Sequence, residues 1–451
     1  MGKLFGTDGV RGIANISPMD SDTMLQLGRA AATVMKRRDG RHRVLIGKDT
    51  RLSGYMLETS LASGICSMGV DVLLVGPLPT PGIAFMTRSM RADAGVVISA
   101  SHNSYEDNGI KFFGPDGFKL PDEVEAEIEN MMLPSKLDSL RASPSTIGKA
   151  YRIDDAIGRY TVYLKNCIER MCKLDGLNLV VDSANGAAYK VAPQVFRELG
   201  ANVVTVGDAP DGHNINKDCG SLHPGLISRM VKVHNADCGI AFDGDADRVV
   251  LCDEQGQVLD GDAVLGICAI DMLERGELTG GAVVGTVMSN LGLEVCLKKH
   301  GIELLRSGVG DRYVIAKMLE AGVNLGGEQS GHIISLDYST TGDGILTALL
   351  VLSILVRSGK KLSEYHSLVP RFPQELINIK VRDKPPLETL PLFQKALCAA
   401  HDRIKQSGRV LVRYSGTEKK VRVMVECEDL NICSQAAQEL AEVLKQEIGV
   451  L

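Results

Sequence analysis

Tryptophan is absent from this chain of 451 residues, and only nine Phe and ten Tyr are present. Long basic tracts are also missing: 50 Lys and Arg stand against 56 Asp and Glu, which leaves a formal net charge of −6. Proteins dedicated to nucleic acids depend on clustered Lys and Arg. We therefore expect no nucleic-acid partner.

Long apolar runs are lacking as well. The longest, Ile345 to Val356, is too short to cross a bilayer core about 30 Å thick, and the first eight residues contain no signal-peptide core. The eleven cysteines form no C-x-x-C pair, which argues against a disulfide framework or a zinc ribbon. We expect no membrane partner and a cytoplasmic location.

Two nucleotide-binding patterns are missing. The sequence has no G-x-x-x-x-G-K-[ST] phosphate loop, and Gly308-Val-Gly310 lacks the third glycine of a dinucleotide fingerprint. Kinase and dehydrogenase chemistry that depends on a nucleotide is therefore disfavoured.

Short β-branched runs alternate with helix-like segments along the chain, which indicates an α/β architecture. The predicted strands are Ala94–Ser99, Asn178–Asp182, Gly239–Asp243 and Gly281–Thr286. The predicted helices are Met24–Lys36, Glu58–Met68, Pro121–Met132, Ala192–Leu199, Ala263–Glu274 and Gly344–Val356. A strand followed by small polar residues recurs at Val97–Asn103, Val180–Gly186 and Val284–Asn290, which suggests repeated domains of similar build.

Composition changes predict the domain boundaries. Residues 134–148 are rich in Ser and Pro and read as a linker or surface excursion before a helix from Ile153 to Cys172. Prolines recur at Val369–Pro373 and Lys384–Pro386, after which Val410–Arg413 and Val421–Glu426 read as strands around a turn. The predicted domains are 1–150, 151–255, 256–368 and 369–451.

Three carboxylates alternate with small residues in Asp243-Gly-Asp-Ala-Asp-Arg248. They would repel one another without a cation, and oxygen ligands of this kind suit Mg²⁺. An EF-hand is an alternative, because Glu254 stands at the twelfth position, but Arg248 replaces the required turn glycine. An acidic surface turn without a metal is the other alternative.

Ser99-Ala-Ser-His-Asn103 follows a predicted strand and leads to Asp107-Asn-Gly-Ile-Lys111. A hydroxyl beside His and Lys could accept a phosphoryl group, whose charge would need a nearby cation. Ser101 is preferred to Ser99 because strand alternation places it beyond the strand. A turn or helix-cap role for these residues remains the alternative.

Two further loops could bind a sugar phosphate. Arg413-Tyr-Ser-Gly-Thr-Glu418 combines a guanidinium group, hydroxyls and a glycine, which suits a phosphate monoester. Gly326-Gly-Glu-Gln-Ser-Gly-His332 presents groups that suit sugar hydroxyls. Either loop could instead be a plain turn. Together, the four motifs indicate phosphoryl transfer within a sugar phosphate.

The chain resembles the α-D-phosphohexomutase superfamily, and within it the bacterial branch that acts on glucosamine phosphates. The likeness runs nearly end to end, and it is carried by the serine loop and by Phe5–Gly12, Gly47–Gly54, Asp243–Arg248, Gly310–Val314, Gly327–His332 and Arg413–Glu418. Other branches usually carry a different residue at the position of Gln329.

The resemblance implies a fold of class α/β, with three similar α/β domains plus a smaller α+β C-terminal domain around a central cleft. It also implies an isomerase. Phosphorylated Ser101 would donate its phosphoryl group to glucosamine 6-phosphate, and the resulting 1,6-bisphosphate would return the other phosphate to give glucosamine 1-phosphate. Expected cofactors are one Mg²⁺ per chain and a sugar bisphosphate such as glucosamine 1,6-bisphosphate as activator.

The resemblance also implies roles for individual residues. A phosphoserine oxygen of Ser101 would hold the metal together with Asp243, Asp245 and Asp247. Arg248 would contact the transferring phosphate, and Glu328 and Ser330 would bind sugar hydroxyls. The non-reacting phosphate would be bound by Arg413, Ser415, Gly416 and Thr417. The candidates for proton handling are Arg11, Lys111 and His332, of which we favour Lys111.

Two residues depart from the family pattern, since Ser104 and Lys419 stand where proline is usual. Ser104 could loosen the serine loop, and Lys419 could add charge near the phosphate-binding residues or face solvent. Phosphomannomutase or phosphoglucomutase activity, a metal-dependent sugar phosphatase and a non-catalytic sugar-phosphate sensor are alternative functions. The expected partner is a small sugar phosphate, and a homodimer is a family-level expectation.

Overall fold

The structure is a computed structural model that describes residues 4–6, 8–36, 40–168, 172–404, 408–415 and 419–450. It forms two compact units, one of residues 1–288 with 302–368 and one of residues 289–301 with 369–451. The larger unit contains three mixed sheets, and the smaller unit contains a fourth.

The first sheet of the larger unit has six strands. These are β1 (Val10–Ile13), β2 (Arg43–Lys48), β3 (Asp71–Pro77), β4 (Ala94–Ile98), β5 (Asp107–Phe113) and β6 (Ala150–Arg152), in the order β1-β5-β4-β2-β3-β6. β4, β2, β3 and β6 pair in parallel, whereas β5 is antiparallel to both of its neighbours. The helices are α1 (Ser21–Met35), α2 (Ser53–Ser67), α3 (Thr80–Ser89), α4 (Asp122–Met131) and α5 (Pro134–Leu137).

Helices α1 and α2 pack closely because glycine lies at their contact. A Cβ on Gly28 would lie 2.5 Å from the carbonyl oxygen of Leu61, and one on Gly64 would lie 2.3 Å from that of Leu25. This close approach buries apolar side chains of both helices against the sheet, Leu27 and Leu61 among them. The Asp20 carboxylate begins α1 by accepting a hydrogen bond from the Thr23 amide.

The second sheet contains β7 (Asn178–Asp182), β8 (Asn202–Val206), β9 (Cys238–Phe242), β10 (Val249–Asp253) and β11 (Val258–Leu259), in the order β11-β10-β9-β7-β8. Its helices are α6 (Ala156–Asn166), α7 (Val191–Glu198) and α8 (Gly225–His234). The predicted helix Ile153–Cys172 is therefore shorter than expected, although residues 169–171 lie outside the described part of the chain.

The third sheet contains β12 (Ala282–Thr286), β13 (Glu303–Ser307), β14 (Leu325–Gly327) and β15 (Ile333–Ser335), in the order β13-β12-β14-β15. α9 (Gly261–Glu274) and α11 (Asp311–Ala321) pack against it, whereas the apolar helix α12 (Gly344–Ser358) packs against α9 and against β9 and β10 of the second sheet. Among the described helices, none is both long and apolar enough to cross a membrane.

The three sheets repeat one connectivity. In each, a central strand (β2, β7 or β12) lies between two parallel neighbours, and one of these (β4, β9 or β14) is followed by an antiparallel strand (β5, β10 or β15). The expected repetition of similar domains is thus confirmed. The recurring pattern of a strand followed by small polar residues, however, equates β4 with β7 and β12. That alignment is wrong, because small polar residues follow two different strands of each sheet.

The smaller unit contains α10 (Leu291–Lys299), β16 (Gln374–Lys380), α13 (Pro391–Ile404), β17 (Gly408–Tyr414), β18 (Lys420–Cys427) and α14 (Leu430–Ile448). Its antiparallel sheet has the order β16-β18-β17. Val421, Val423 and Val425 of β18 share a core with Leu440 and Leu444 of α14. Sequence analysis predicted β17 and β18 but missed β16 and the helices.

The predicted fold class, three similar α/β domains and a smaller α+β domain, is confirmed. The four predicted domain ranges stay predictions. The segment 134–148 begins with α5 and a 3₁₀ turn at Asp138–Leu140, and β6 continues the first sheet to residue 152.

The glycine contact between α1 and α2 gives a test of packing. We expect Gly64→Ala to lower the free energy of unfolding by about 1 to 3 kcal/mol, because the new methyl group would collide with the backbone of α1. Gly158→Ala is the matched control. Gly158 lies in α6, and a Cβ there would meet no atom within 4 Å, so alanine should stabilise the helix by about 0.5 to 1 kcal/mol. Chemical denaturation of both variants measures their free energies of unfolding. Equal changes in the two variants would contradict the close packing inferred at Gly64.

Candidate active site

Ser101 lies on the loop between β4 and β5, which we call the serine loop (Ser99–Glu106). Its backbone is in the left-handed region, with φ of 52°. Its hydroxyl donates to Asp243 Oδ2 at 2.5 Å. The hydroxyl of Ser99 instead donates to the buried carboxylate of Asp49 at 2.7 Å. Of the two serines, Ser101 therefore faces the acidic loop.

The acidic loop between β9 and β10 (Asp243–Arg248) brings three carboxylates together. One oxygen each from Asp243, Asp245 and Asp247 can be chosen so that all lie within 4.8 Å of one another, and the side chains are buried. Oδ1 of Asp245 and Oδ1 of Asp247 have no hydrogen-bond partner among the described residues. Burial raises the pKa of Asp243, and the neighbouring Asp247 and Asp245 raise it further. These oxygens fit a divalent cation.

The two alternatives for this loop find no support in its geometry. The loop is buried, so it is not an acidic surface turn. Residues Val249–Asp253 form β10, and Glu254 accepts hydrogen bonds from Ser363 and does not join the acidic cluster. An EF-hand is therefore wrong for this segment.

Two basic side chains border the acidic loop. Lys111 Nζ, on β5, lies 3.3 Å from Asp245 and 3.8 Å from Asp247. Burial would lower the pKa of Lys111, but Asp245, Asp8 and Asp247 raise it above its usual value, so the ammonium group keeps its proton. The Arg248 amide donates to Asp243 at 3.2 Å, and its guanidinium group lies 3.2 Å from His102.

Asp8, Lys119 and Asp311 form an ion-pair chain that sequence analysis missed. Lys119 Nζ pairs with Asp8 and lies 2.6 Å from Asp311. Arg11 also pairs with Asp8. Burial alone would raise the pKa of Asp8, but Lys111, Lys119 and Arg11 together lower it well below its usual value. Asp8 and Asp311 stand in two of the motifs that carry the resemblance, whereas nothing in the sequence pattern marked Lys119.

His332 lies against the same carboxylates. Its Nδ1 is 3.6 Å from Asp247 Oδ2, and the Gly342 amide donates to its Nε2 at 3.1 Å. Asp247 and Asp311 raise the pKa of this buried imidazole against the effect of burial. The Gly342 hydrogen bond nevertheless requires a lone pair on Nε2, so we assign the neutral ring with its proton on Nδ1, facing Asp247.

The loop Glu328–His332, which the sequence predicts to bind sugar hydroxyls, joins β14 to β15. Glu328 Oε1 accepts from the Gly310 amide at 2.9 Å, and Oε2 accepts from the Ser330 hydroxyl at 3.2 Å. Gln329 turns away from this pair, since its amide lies 3.4 Å from the Asp260 carboxylate at the start of α9. Glu328 and Ser330 are thus hydrogen-bonded to each other on one side of the loop.

All three loops contribute to one cavity of about 130 Å³. Of the predicted residues, its walls include Ser101, Lys111, Asp247, Arg248, Glu328 and His332. The missed residues in its walls include Asp8, Asp311, Arg312 and Tyr313. Arg11 reaches the site through its ion pair with Asp8. Ser101, Asp247 with Arg248, and Glu328 with His332 come from loops at equivalent positions of the three sheets, whereas Lys111 lies on β5 and Asp311 begins α11.

The predicted phosphate-binding loop belongs to the smaller unit. Arg413 lies near the end of β17, directly across from Arg422 of β18, and burial with the charge of Arg422 lowers the pKa of Arg413. Two adjacent guanidinium groups favour an anion. Ser415 is buried and Lys419 is exposed, whereas Gly416 and Thr417 lie outside the described residues. Sequence analysis did not single out Arg422.

Comparisons with known proteins match the chain to one family over nearly its whole length. The four domains of the phosphoglucomutase/phosphomannomutase family match in order: alpha/beta/alpha domain I at residues 2–137, domain II at 159–256, domain III at 260–372 and the C-terminal domain at 376–443. The phosphoglucosamine mutases of Geobacter metallireducens and Syntrophotalea carbinolica are each 56% identical over 449 residues. The alignment with the Geobacter protein covers 100% of this chain and 100% of that protein. The alignment with the Syntrophotalea protein covers 99% of this chain and 98% of that protein.

Solved structures share the fold. A phosphoglucomutase/phosphomannomutase family protein of Burkholderia thailandensis superposes with a TM-score of 0.82 at 25% identity, covering 99% of each chain. Two structures of Aspergillus fumigatus N-acetylphosphoglucosamine mutase superpose with a TM-score of 0.66. One, in complex with GlcNAc-6P and magnesium, is 18% identical and covers 98% of this chain and 95% of that one. The other, a serine-to-alanine variant in complex with glucose 1,6-bisphosphate, is 19% identical and covers 100% and 96%.

The acidic loop predicts that a divalent cation stabilises the protein. Mg²⁺ at about 100 times its dissociation constant should add about 2.7 kcal/mol to the free energy of unfolding. Asp243→Asn should lose most of this gain, because one ligand and one negative charge are removed. Thermal unfolding with and without Mg²⁺ measures the effect.

Asp182→Asn is the control for this experiment. Asp182 is equally buried in the second sheet, but its oxygens accept backbone hydrogen bonds from Ala184 and Gly220, and it is not a member of the acidic cluster. This variant should be less stable than the unsubstituted protein and should keep the full response to Mg²⁺. A response lost equally in both variants would mean that the acidic loop is not the metal site.

Proposed function

The chain belongs to the phosphoglucomutase/phosphomannomutase family and has the isomerase activity of the phosphoglucosamine mutases within it; on this premise, we propose that Ser101 carries the phosphoryl group by which glucosamine 6-phosphate and glucosamine 1-phosphate are interconverted. The observation that carries the proposal is the contact between two loops. The Ser101 hydroxyl meets the acidic loop at 2.5 Å, and both loops border the cavity that Glu328 also lines.

The buried carboxylates support a proposed Mg²⁺ site. Asp243, Asp245 and Asp247 would hold the ion, together with an oxygen of phosphorylated Ser101. When bound, Mg²⁺ would neutralise charge on the transferring phosphoryl group. The oxygens of Asp245 and Asp247 that have no hydrogen-bond partner among the described residues support this assignment, as does the magnesium in the fungal N-acetylphosphoglucosamine mutase complex.

In the proposed reaction, a sugar hydroxyl oxygen attacks the phosphorus of phosphorylated Ser101, and the bond from phosphorus to Oγ breaks. The product, glucosamine 1,6-bisphosphate, then returns its other phosphoryl group to Ser101 Oγ. Arg248 borders the serine loop and would stabilise charge on the equatorial oxygens. A bisphosphate of this kind would also serve as activator, and the fungal complex with glucose 1,6-bisphosphate supports this part of the proposal.

The proton of the attacking hydroxyl needs an acceptor, and the leaving sugar oxygen needs a donor. Lys111, Arg11 and His332 are the proposed groups. Lys111 lines the cavity together with Ser101 and lies beside the acidic loop, so we favour its ammonium group as the donor to the leaving oxygen. His332 holds its Nδ1 proton toward Asp247, so we propose that it mainly orients that carboxylate.

Substrate contacts away from the reacting phosphate are also proposed. Glu328 and Ser330, which are hydrogen-bonded to each other, would bind sugar hydroxyls. The non-reacting phosphate would be bound by Arg413, Ser415, Gly416 and Thr417. Such contacts would keep the bisphosphate bound while it reorients between the two transfers.

The nucleophile is tested by Ser101→Ala. We expect this variant to lose turnover to the limit of detection, because it has no oxygen to accept the phosphoryl group. Incubation with glucosamine 1,6-bisphosphate and Mg²⁺ should add one phosphate to the unsubstituted protein, located at Ser101 by peptide mapping, and none to the variant. Addition of glucosamine 6-phosphate should discharge that phosphate.

Ser104→Ala is the matched control, since Ser104 is an exposed hydroxyl on the same loop. It should be phosphorylated at Ser101 and should retain turnover. Phosphate at another residue, or turnover that persists in Ser101→Ala, would contradict the proposed nucleophile. Release of inorganic phosphate in place of the sugar 1-phosphate would instead favour a phosphatase.

Glu328 predicts substrate preference. It lines the cavity, and a carboxylate favours the protonated 2-amino group of glucosamine over a neutral hydroxyl. We expect kcat/KM for glucosamine 6-phosphate to exceed those for mannose and glucose 6-phosphates by about tenfold or more. Steady-state assays with the three sugars measure the ratios. A preference for either neutral sugar would contradict the glucosamine assignment.

A further inference from the structure

Arg51 is the largest fully buried side chain among the described residues, and it lies directly behind the serine loop. It follows β2, in the turn that leads to α2. A guanidinium group has five N–H bonds, and each of the five can be matched to an acceptor here. The acceptors are the Asp49 carboxylate at 2.7 Å and the carbonyl oxygens of Ser101 at 3.0 Å, Asn103 at 2.9 Å, Asp107 at 3.0 Å and Ser104.

The serine loop needs such support because its backbone is strained. Ser101 has φ of 52°, a conformation that costs a non-glycine residue energy and persists only when its surroundings impose it. Its carbonyl oxygen accepts from Arg51, and its amide donates to the Ser99 hydroxyl at 2.9 Å. Ser99 in turn donates to Asp49, the carboxylate that pairs with Arg51.

A second side chain holds the same backbone from the second domain. Asn216 Nδ2 donates to the carbonyl oxygen of Ser101 at 2.9 Å and to that of Asn103 at 3.0 Å. Arg51 binds these same two oxygens. Gly244, on the acidic loop, lies so close that a Cβ there would be 2.5 Å from the Ser101 carbonyl oxygen. The serine and acidic loops are thus fixed against each other.

Stability alone does not account for Arg51. A buried ion pair contributes little to stability, because the desolvation of both charges offsets their attraction. Four of its acceptors are carbonyl oxygens on one short stretch of chain that carries Ser101. Lysine could not replace it, since an ammonium group has three donors at a single point and lacks the planar fork.

We propose that Arg51 is a positioning residue for the nucleophile, with Asn216 as its partner, and that together they hold the serine loop so that Ser101 Oγ faces the acidic loop. This inference rests on the proposed function, in which Ser101 accepts and donates the phosphoryl group. Neither side chain needs to touch the substrate, since both act through the backbone of the serine loop.

The test compares Arg51→Lys and Asn216→Ala with an exposed control, Arg159→Lys. Arg159 pairs with Asp155 on the surface of α6. The measurements are kcat and KM for glucosamine 6-phosphate, together with the unfolding temperature and phosphate content of each purified protein. A displacement of about 1 Å can cost a factor of about 100 in rate. We expect kcat of Arg51→Lys to fall about 100-fold while KM stays within about twofold.

Asn216→Ala removes two hydrogen bonds and should lower kcat by about tenfold, again with little change in KM. A purely structural role would lower the unfolding temperature and leave kcat per folded molecule unchanged. Arg159→Lys should match the unsubstituted protein in every measurement.

The outcomes separate this inference from the function on which it rests. Unsubstituted protein that never carries phosphate at Ser101 would overturn both. If the unsubstituted protein is phosphorylated at Ser101 but a folded Arg51→Lys variant has an unchanged kcat, the positioning role alone is overturned. A rise in KM with unchanged kcat would overturn it too, because Arg51 would then serve substrate binding. If Arg51→Lys fails to fold, Asn216→Ala decides, and an unchanged kcat in that variant overturns the proposal.

Discussion

Asp243, Asp245 and Asp247 lie buried on one short turn, and the repulsion among them is the constraint to which the neighbouring side chains respond. Lys111 lies within ion-pair distance of two of them, Arg248 reaches Asp247, and Asp8 in turn draws Lys111, Lys119 and Arg11 toward the cavity. Two oxygens of the three aspartates have no hydrogen bonds among the described residues. Such a cluster is unfavourable to bury, and the positive charges of Lys111 and Arg248 offset part of that cost.

The repeated connectivity explains how distant segments reach this loop. In each of the three sheets of the larger unit, the functional loop joins a parallel strand to the antiparallel strand beside it: β4 to β5, β9 to β10 and β14 to β15. Side chains at the domain borders hold these loops together. Thr80 donates to Asp245 at 2.8 Å, and Asn216 donates to the serine loop. The serine loop, the acidic loop and the loop Glu328–His332 therefore occupy one structural position used three times, and their residue types differ because each copy has a different task.

Residues that react or bind metal were predictable because their chemistry is local. Ser101 and the three aspartates stand in short runs of unusual composition, and strand alternation was enough to prefer Ser101 to Ser99, whose hydroxyl lies in the core against Asp49. Asp8 and Asp311 stood in recognisable motifs, but their pairing through Lys119 depends on segments more than 100 residues apart in sequence. The role of Arg51 could not be predicted from the sequence for the same reason, since its acceptors are mostly carbonyl oxygens and every residue has one. Ser104 stands where the family usually has proline, and its carbonyl oxygen accepts a hydrogen bond from Arg51 that the sequence did not indicate.

By itself, the sequence determined the alternation of strands and helices, the α/β class and the identity of the acidic and serine loops, because hydrophobic periodicity and short polar motifs act over a few residues. It could not determine which strands of the three sheets correspond, since small polar turns follow two strands in each sheet and look alike in sequence. Only the tertiary structure decided that Asp8, Lys119 and Asp311 form one ion-pair chain, that the His332 ring is held between Asp247 and Gly342, and that a buried arginine supports the serine loop. These arrangements depend on distances between separate segments of the folded chain, and no local pattern encodes such distances.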